Sequence, residues 1–304
     1  MTETVRLFFR IGYLGDAFHG SQIQPDVRTV QGELIRVFRS LKWLRGPVEE
    51  QLLVLSSRTD AGVHVRINGG IVDLQRTLWE ALSPRKMIRA VDDRLDNNIA
   101  FLTVEEVEPS FNPRMALHRT YRYRLEAMEF WTEPSLEDFN RWLGLFVGTY
   151  DARNFARLEE GKNPVRTVIE TRPWMDGQRL IGFEITGEAF LWNQVRRVAN
   201  ALFRLAVGEL QETDVRKAIE EPLTPVDFGV APPEWLVLWG VAWERAPLPE
   251  KSHATAFSAP PTGRTAERTR NGRWRQAAQH EIKTMLYNEW AEIGTLPVVY
   301  HRSQ

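Results

Sequence analysis

The chain has 304 residues, 43% hydrophobic and 26% charged, the composition of a soluble globular protein of about two domains. It has no cysteine, which excludes disulfides, thiolate metal ligands and a cysteine nucleophile, and fits a reducing compartment. The formal net charge of -1 leaves nucleic acid open as a partner, since a local basic patch can bind RNA while another face stays acidic.

The first ten residues carry Glu3, Arg6 and Arg10 and no apolar leader, and no run approaches the roughly 18 apolar residues of a membrane span. A cytoplasmic protein is expected. Val5 to Gly12 reads as a strand. The loop 13–25 that follows, with Gly15, Gly20 and Pro25, reads equally as an ordinary turn or as a surface that touches a ligand. Thr29 is predicted to cap a helix with Val30, Leu34, Val37, Phe38 and Leu41 on one side.

An apolar run, Leu52 to Leu55, reads as a buried strand, and alternating Val63, Val65 and Ile67 as the next. Asp60 therefore lies in a connection between strands, followed by Ala61 and Gly62, which allow a tight turn or a close approach. An Asx turn explains such an aspartate, and so does a loop built to present a carboxylate. Further strands are expected at Ile71–Leu74 and Ile99–Val107, with a short helix opened by Pro84. Pro109 and Pro113 break the pattern. They suggest a boundary that gives domains 1–108 and 109–246, followed by an extension, 247–304.

Arg114, His118, Arg119, Arg122 and Arg124 fall within residues 114–124, which contain no acid. Tyr121 and Tyr123 alternate with arginines in what reads as a strand. A solvated charged face and a phosphate-binding face are both consistent with this pattern. A helix at Phe139–Phe146 is closed by Gly148-Thr149-Tyr150-Asp151, then Lys162 to Val168 reads as a loop entering a strand, with Leu180–Thr186 as its neighbour. The helix from Phe190 to Phe203 has Val195, Val198, Ala199 and Leu202 on its core face. At about 100° per residue Arg196 falls at the edge of that face and Arg197 points outward. Arg196 should be half-buried and paired, and Arg197 solvated. Ala231-Pro232-Pro233 precedes a last strand, Leu236–Trp243.

Beyond Pro247 the composition shifts. Pro247, Pro249, Pro260, Pro261 and Gly263 mark a linker, and five arginines against one glutamate follow from Arg264 to Arg275. These suit either an RNA grip or a mobile loop. A helix follows, with Ala278, Ile282, Met285, Leu286 and Trp290 as a stripe to dock on the body. The six histidines never fall at metal-ligand spacing with one another, and there is no nucleotide-binding glycine pattern and no Gly-x-Ser-x-Gly elbow.

The heptad Arg58-Thr59-Asp60-Ala61-Gly62-Val63-His64 resembles the signature of the tRNA pseudouridine synthase A family. In matching order come Phe111-Asn112-Pro113-Arg114, Tyr121-Arg122-Tyr123, Asn163-Pro164-Val165-Arg166, the Phe190 to Arg197 segment and Ala231-Pro232-Pro233, so the resemblance spans Val5 to Trp243. Phe18-His19-Gly20-Ser21-Gln22 is similar to the archaeal form, while Trp235 departs from the glycine usual there. The resemblance implies an α+β fold of two similar ferredoxin-like domains forming one large mixed, mainly antiparallel sheet flanked by helices, with a central RNA-binding cleft. It further implies a homodimer acting on tRNA, with no metal or other cofactor. The reaction implied is isomerisation of uridine to pseudouridine in the anticodon arm, near positions 38 to 40.

In that reading Asp60, Tyr121 and Arg196 are catalytic: Asp60 the carboxylate, Arg196 its partner, Tyr121 a stacking platform and proton acceptor. Arg58, His64, Arg114, Arg119, Arg122, Arg166 and Arg197 are the expected RNA contacts, though a packed histidine is the plainer reading of His64. A tRNA-binding module with secondary or lost catalysis is the alternative. A methyltransferase or a deaminase would need a glycine loop or zinc ligands that the sequence lacks.

Overall fold

A computed structural model describes residues 3–44, 53–244, 257–259 and 268–295. The residues gather into two compact units: Met1–Ala116 with Trp243–Ala254 and Lys283–Gln304, and Leu117–Ala242 with Thr255–Ile282. The fold is α+β, with helices flanking antiparallel strands.

The first unit runs β1 (Thr4–Tyr13), α1 (Val30–Ser40), β2 (Leu53–Leu55), β3 (His64–Gln75), α2 (Arg76–Ala81), α3 (Pro84–Asp92) and β4 (Ile99–Val107). Antiparallel pairing gives the order β4-β1-β3-β2 on a β-α-β-β-α-β path, the ferredoxin-like arrangement. As the sequence predicts, Thr29 opens α1, its hydroxyl accepting the Gly32 amide at 3.3 Å. The apolar side of α1, from Val30 to Phe38, is buried, and Phe38 meets Phe101 of β4, which stacks on Phe9 of β1. Ser83 caps α3 and Pro84 begins it.

β3 is one strand where the sequence suggests two segments. Gly69 and Gly70 do not interrupt it, because they are sites of close packing: a Cβ on Gly69 would lie 2.5 Å from the Trp243 ring, and one on Gly70 2.5 Å from the Phe9 ring. α2, which the sequence reading did not anticipate, has no buried residue and no capping side chain, so it lacks the apolar stripe that reveals a helix.

The second unit runs β5 (His118–Tyr123), α4 (Leu136–Gly144), β6 (Gly148–Asp151), β7 (Val165–Asp176), β8 (Arg179–Gly187), α5 (Gln194–Ala206), α6 (Glu212–Glu220) and β9 (Leu236–Ala242). Its order is β9-β5-β8-β7-β6, every pair antiparallel. Residues 148–151, expected only to close a helix, form an edge strand: Gly148 at φ +119 reverses the chain and Thr149 to Asp151 pair with β7. Val195, Val198, Ala199 and Leu202 of α5 are buried, as their spacing predicts.

A last helix, α7 (Arg268–Thr295), belongs to the second unit through Ile282 and to the first from Lys283 on. Its expected stripe is buried throughout, at Ala278, Ile282, Met285, Leu286 and Trp290. Arg275 pairs with Glu129 at 3.5 Å. The linker prolines 247, 249, 260 and 261, Gly263 and Arg264 lie outside the described residues, as do the side chains of Arg268, Arg270 and Arg273. Among the described residues no helix is long and apolar enough to cross a membrane.

Candidate active site

Arg58, Asp60, His64 and Arg114 belong to the first unit; Arg119, Tyr121, Arg122, Arg166, Arg196 and Arg197 belong to the second.

The connection from β2 to β3 is held on two sides. From β3, the Asn68 side chain accepts the Ser57 amide at 3.2 Å and donates to the Ser57 carbonyl at 2.8 Å, while the Ser56 amide donates to the Gly69 carbonyl at 2.8 Å. From the 13–25 loop, the Ser21 hydroxyl accepts the Thr59 amide at 2.9 Å and the Ser21 amide donates to the Thr59 carbonyl at 3.1 Å. The Tyr13 hydroxyl meets Thr59 Oγ1 at 2.8 Å, and burial pushes this phenol up to about 12, so it stays protonated. The Gly62 amide donates to the Gly15 carbonyl at 3.1 Å, and the Val63 amide to the Asp60 carbonyl at 3.2 Å.

The 13–25 loop, which the sequence left as either a turn or a ligand surface, is thus a brace for the Asp60 loop. Gly62 sits at φ +85 and completes the turn. Ser57 and Thr59 are buried, Asp60 is half-buried and Arg58 is exposed. The backbone on either side of Asp60 is thereby fixed, and the residue itself is half-buried.

His64 departs from the RNA contact expected of it. It is 1% exposed, and its Nδ1 accepts the Gly15 amide at 3.1 Å. Burial drives its pKa down to about 4, with Asp16 pulling it up and Lys283 pushing it down. It is a neutral acceptor beneath the loop. Arg114 is exposed, in a turn where its amide donates to Asn112 Oδ1 at 3.0 Å.

In the second unit Tyr121 lies in the middle of β5, paired with Ile185 of β8 and Leu238 of β9. It is 8% exposed, and its ring stands edge-on to Phe190 at 5.3 Å. Phe190 leads into α5, which starts at Gln194 after Asn193 in the left-handed conformation, four residues later than the sequence suggests. Arg196 is half-buried, as predicted. Its Nε donates to the Ala231 carbonyl at 2.7 Å, one Nη donates to Asn193 Oδ1 at 3.1 Å, and its own carbonyl accepts the Ala231 amide at 3.2 Å. The Tyr123 hydroxyl donates to the Pro232 carbonyl at 3.0 Å and Asn200 to the Phe228 carbonyl at 2.5 Å, so the stretch before β9 is tied to β5 and α5.

The remaining arginines are more internal than the sequence implies. Arg197, expected to be solvated, is largely covered, because the 227–232 stretch folds back along α5 and Asp227 takes its guanidinium at 2.6 Å. Arg122 pairs with buried Glu184 at 2.7 Å and lies 3.7 Å over the Trp239 ring. Its guanidinium thus takes part in an ion pair within the sheet. Arg119 donates to the Glu188 carbonyl at 2.6 Å and Arg166 to the Asn163 carbonyl at 2.8 Å, and burial lowers the pKa of both. Both remain cations, since an arginine does not lose its proton in a protein. Among the described residues no three His, Asp or Glu side chains are grouped to hold a metal ion.

A family model described as tRNA pseudouridine synthase matches residues 143–244, which include Arg196 and β9. The tRNA pseudouridine synthase A of Methanoculleus marisnigri is 34% identical over 238 residues, 78% of this chain and 82% of its own. That of Thermococcus gammatolerans is 37% identical over 252 residues, 79% of this chain and 85% of its own. The chain belongs to the tRNA pseudouridine synthase A family. These are isomerases that convert uridine to pseudouridine in tRNA, so the chain is a tRNA-modifying, RNA-binding enzyme. A solved H/ACA RNP bound to a substrate RNA containing 2'-deoxyuridine overlaps 65% of this chain and 43% of its own at 12% identity and a TM-score of 0.32, a likeness too low to add to the assignment.

The residues that sequence reasoning missed are those that hold the Asp60 loop: Tyr13, Ser21 and Asn68. A signal for Asn68 was present, because an amide among the apolar positions of a buried strand needs polar partners, and the nearest backbone without ladder partners is the loop. Tyr13 and Ser21 gave no such signal in a loop rich in polar residues.

Proposed function

We propose that this enzyme isomerises uridine in the tRNA anticodon arm, near positions 38 to 40, with Asp60 as the catalytic carboxylate. The observation that carries this reading is the braced turn that fixes Thr59 and Gly62 and leaves Asp60 half-exposed between them. The reaction breaks the bond from uracil N1 to C1′, turns the base, joins C5 to C1′, releases the C5 proton to solvent and takes up a proton at N1, so reactant and product have the same composition and no redox partner is needed.

A fixed carboxylate serves in any of three ways: attack at C1′, attack at base C6, or stabilisation of a cationic sugar on the way to a glycal. Arg196 is the cationic partner of this carboxylate in the reaction. Tyr121 stacks on the uracil and accepts the C2′ proton in the glycal route. Arg58 contacts phosphate or helps displace the target base, which must leave its stack to react. Arg114, Arg119 and Arg166 contribute to the RNA surface, and the enzyme works in the cytoplasm as a homodimer.

The test is tritium release from tRNA labelled at uridine C5. Release from wild-type tRNA that is lost when the uridines at 38 to 40 are replaced by cytidine supports the reading. Release that persists after the replacement moves the target elsewhere, and tRNA binding without release across several tRNAs favours a binding module.

A further inference from the structure

We propose that the end of α7 belongs to the catalytic apparatus, with Lys283, Glu289 and Trp290 as positioning residues for the Asp60 loop. The proposal rests on the reading of Asp60 as the catalytic carboxylate. Lys283 onward belongs to the first unit, and Met285, Leu286, Trp290 and Ile293 are all buried there.

Three contacts join this segment to the roots of the loop. The first is the ion pair between Lys283 Nζ and Asp16, in the turn Gly15–Ala17. Gly15, the next residue, has no slack against the loop: its carbonyl accepts the Gly62 amide, its amide donates to His64, and a Cβ there would lie 2.1 Å from the Val63 carbonyl oxygen. A displacement of Asp16 is therefore passed to Gly62, two residues from Asp60.

The second contact is the ion pair of Arg66 with Glu289, 2.6 Å long and with side chains 2% and 0% exposed. It forms at a bulge. Ile11 pairs with Asn68 but Tyr13 with Val65, so β3 has one residue more than β1 across this step. Bulges of this kind re-aim side chains beside functional sites. Here the bulge lies immediately after His64 and includes Arg66.

The third contact is Trp290. Its Nε1 donates to the Arg66 carbonyl at 3.0 Å, and its ring occupies the space over Gly12, where a Cβ would lie 2.0 Å from it. The end of β1 and the start of β3, the two strands from which the Asp60 loop and its brace spring, are thus fastened to one helix.

The Lys283–Asp16 pair makes the proposal separable from a purely structural role. Both side chains are partly exposed, at 25% and 45%, and a pair so placed contributes little to stability. A geometric error of about 1 Å at a reacting group, by contrast, costs up to about a hundredfold in rate. Positioning therefore predicts a change in turnover without a matching change in stability.

The experiment compares Asp16→Lys, Lys283→Asp, the double exchange, Lys283→Arg and Asp60→Asn in the full chain. It measures single-turnover tritium release, tRNA affinity and melting temperature. Each reversed single variant is expected to lose about tenfold in rate, with tRNA affinity within about twofold and melting within a few degrees of wild type. The double exchange should recover to within about threefold, and Lys283→Arg should remain near wild type. Wild-type rates in both reversed variants, or losses confined to tRNA affinity or to melting, overturn the proposal while an inert Asp60→Asn leaves the Asp60 reading standing. An active Asp60→Asn overturns both.

Discussion

The backbone of the Asp60 loop is held by hydrogen bonds between neutral groups, from Tyr13, Ser21, Asn68 and Gly15. The arginines of β5 and α5 are held by acids and carbonyls brought from elsewhere in the second unit, Glu184 and Asp227 among them. Neutral bonds fix the backbone of a loop without adding charge to it. Ionic bonds consume the charge of the groups they fix. The loop backbone and these guanidinium groups are thus fixed by different means, the one by neutral hydrogen bonds and the other by acids and carbonyls.

Arg124 is the strongest case of the second kind and gives the largest expected effect. Its side chain is 0% exposed, between Glu126 at 2.7 Å and Glu281 at 2.7 Å. Arg124→Met leaves buried carboxylate behind and should cost about 3–5 kcal/mol in urea unfolding. A loss below about 1 kcal/mol would show that the pair is not the structural element it looks like.

His64 supplies the next largest effect and tests the neutral bracing. Its pKa is depressed to about 4 in the folded state, below an unfolded value of about 6.5. Above about pH 6.5 both states hold it neutral and its contribution is fully present. As the pH falls toward 4 the unfolded state gains the proton first, and up to about 3 kcal/mol of stability is lost. His64→Gln should flatten the stability profile between those limits, while a profile as steep as wild type would assign the loss to another group.

The smallest effects separate Arg58 from Arg122. Arg58 is exposed, and Arg58→Ala should change stability by less than about 0.5 kcal/mol while reducing the salt slope of tRNA binding by about 0.7–0.9. Arg122→Met should cost about 2 kcal/mol through Glu184 and Trp239 and leave the slope unchanged. The reverse pattern would return Arg122 to the RNA surface.

Most of the regular elements were legible in the sequence, because periodicity and caps such as Thr29 and Ser83–Pro84 are local signals. The Asp60 loop was legible too, from the heptad and the apolar runs that flank it. What was not legible came from pairings distant in the chain. The stretch 114–124 contains no acid, yet its Arg122 faces Glu184 from the neighbouring strand and its Arg124 faces Glu281 from α7. Gly69 and Gly70 looked like the gap between two strands because the rings that need their space, Trp243 and Phe9, are contributed by other strands or by residues far along the chain. The link from Asp16 to Lys283 spans 267 residues, and no local pattern announces it.

The measurement that tests the central claim most directly is single-turnover tritium release from C5-labelled tRNA by Asp60→Asn, run beside tRNA affinity for the same protein. This account predicts that release falls at least about a thousandfold while affinity stays within about twofold of wild type. Release near the wild-type rate would contradict it, and the chemistry would then have to be assigned to another residue.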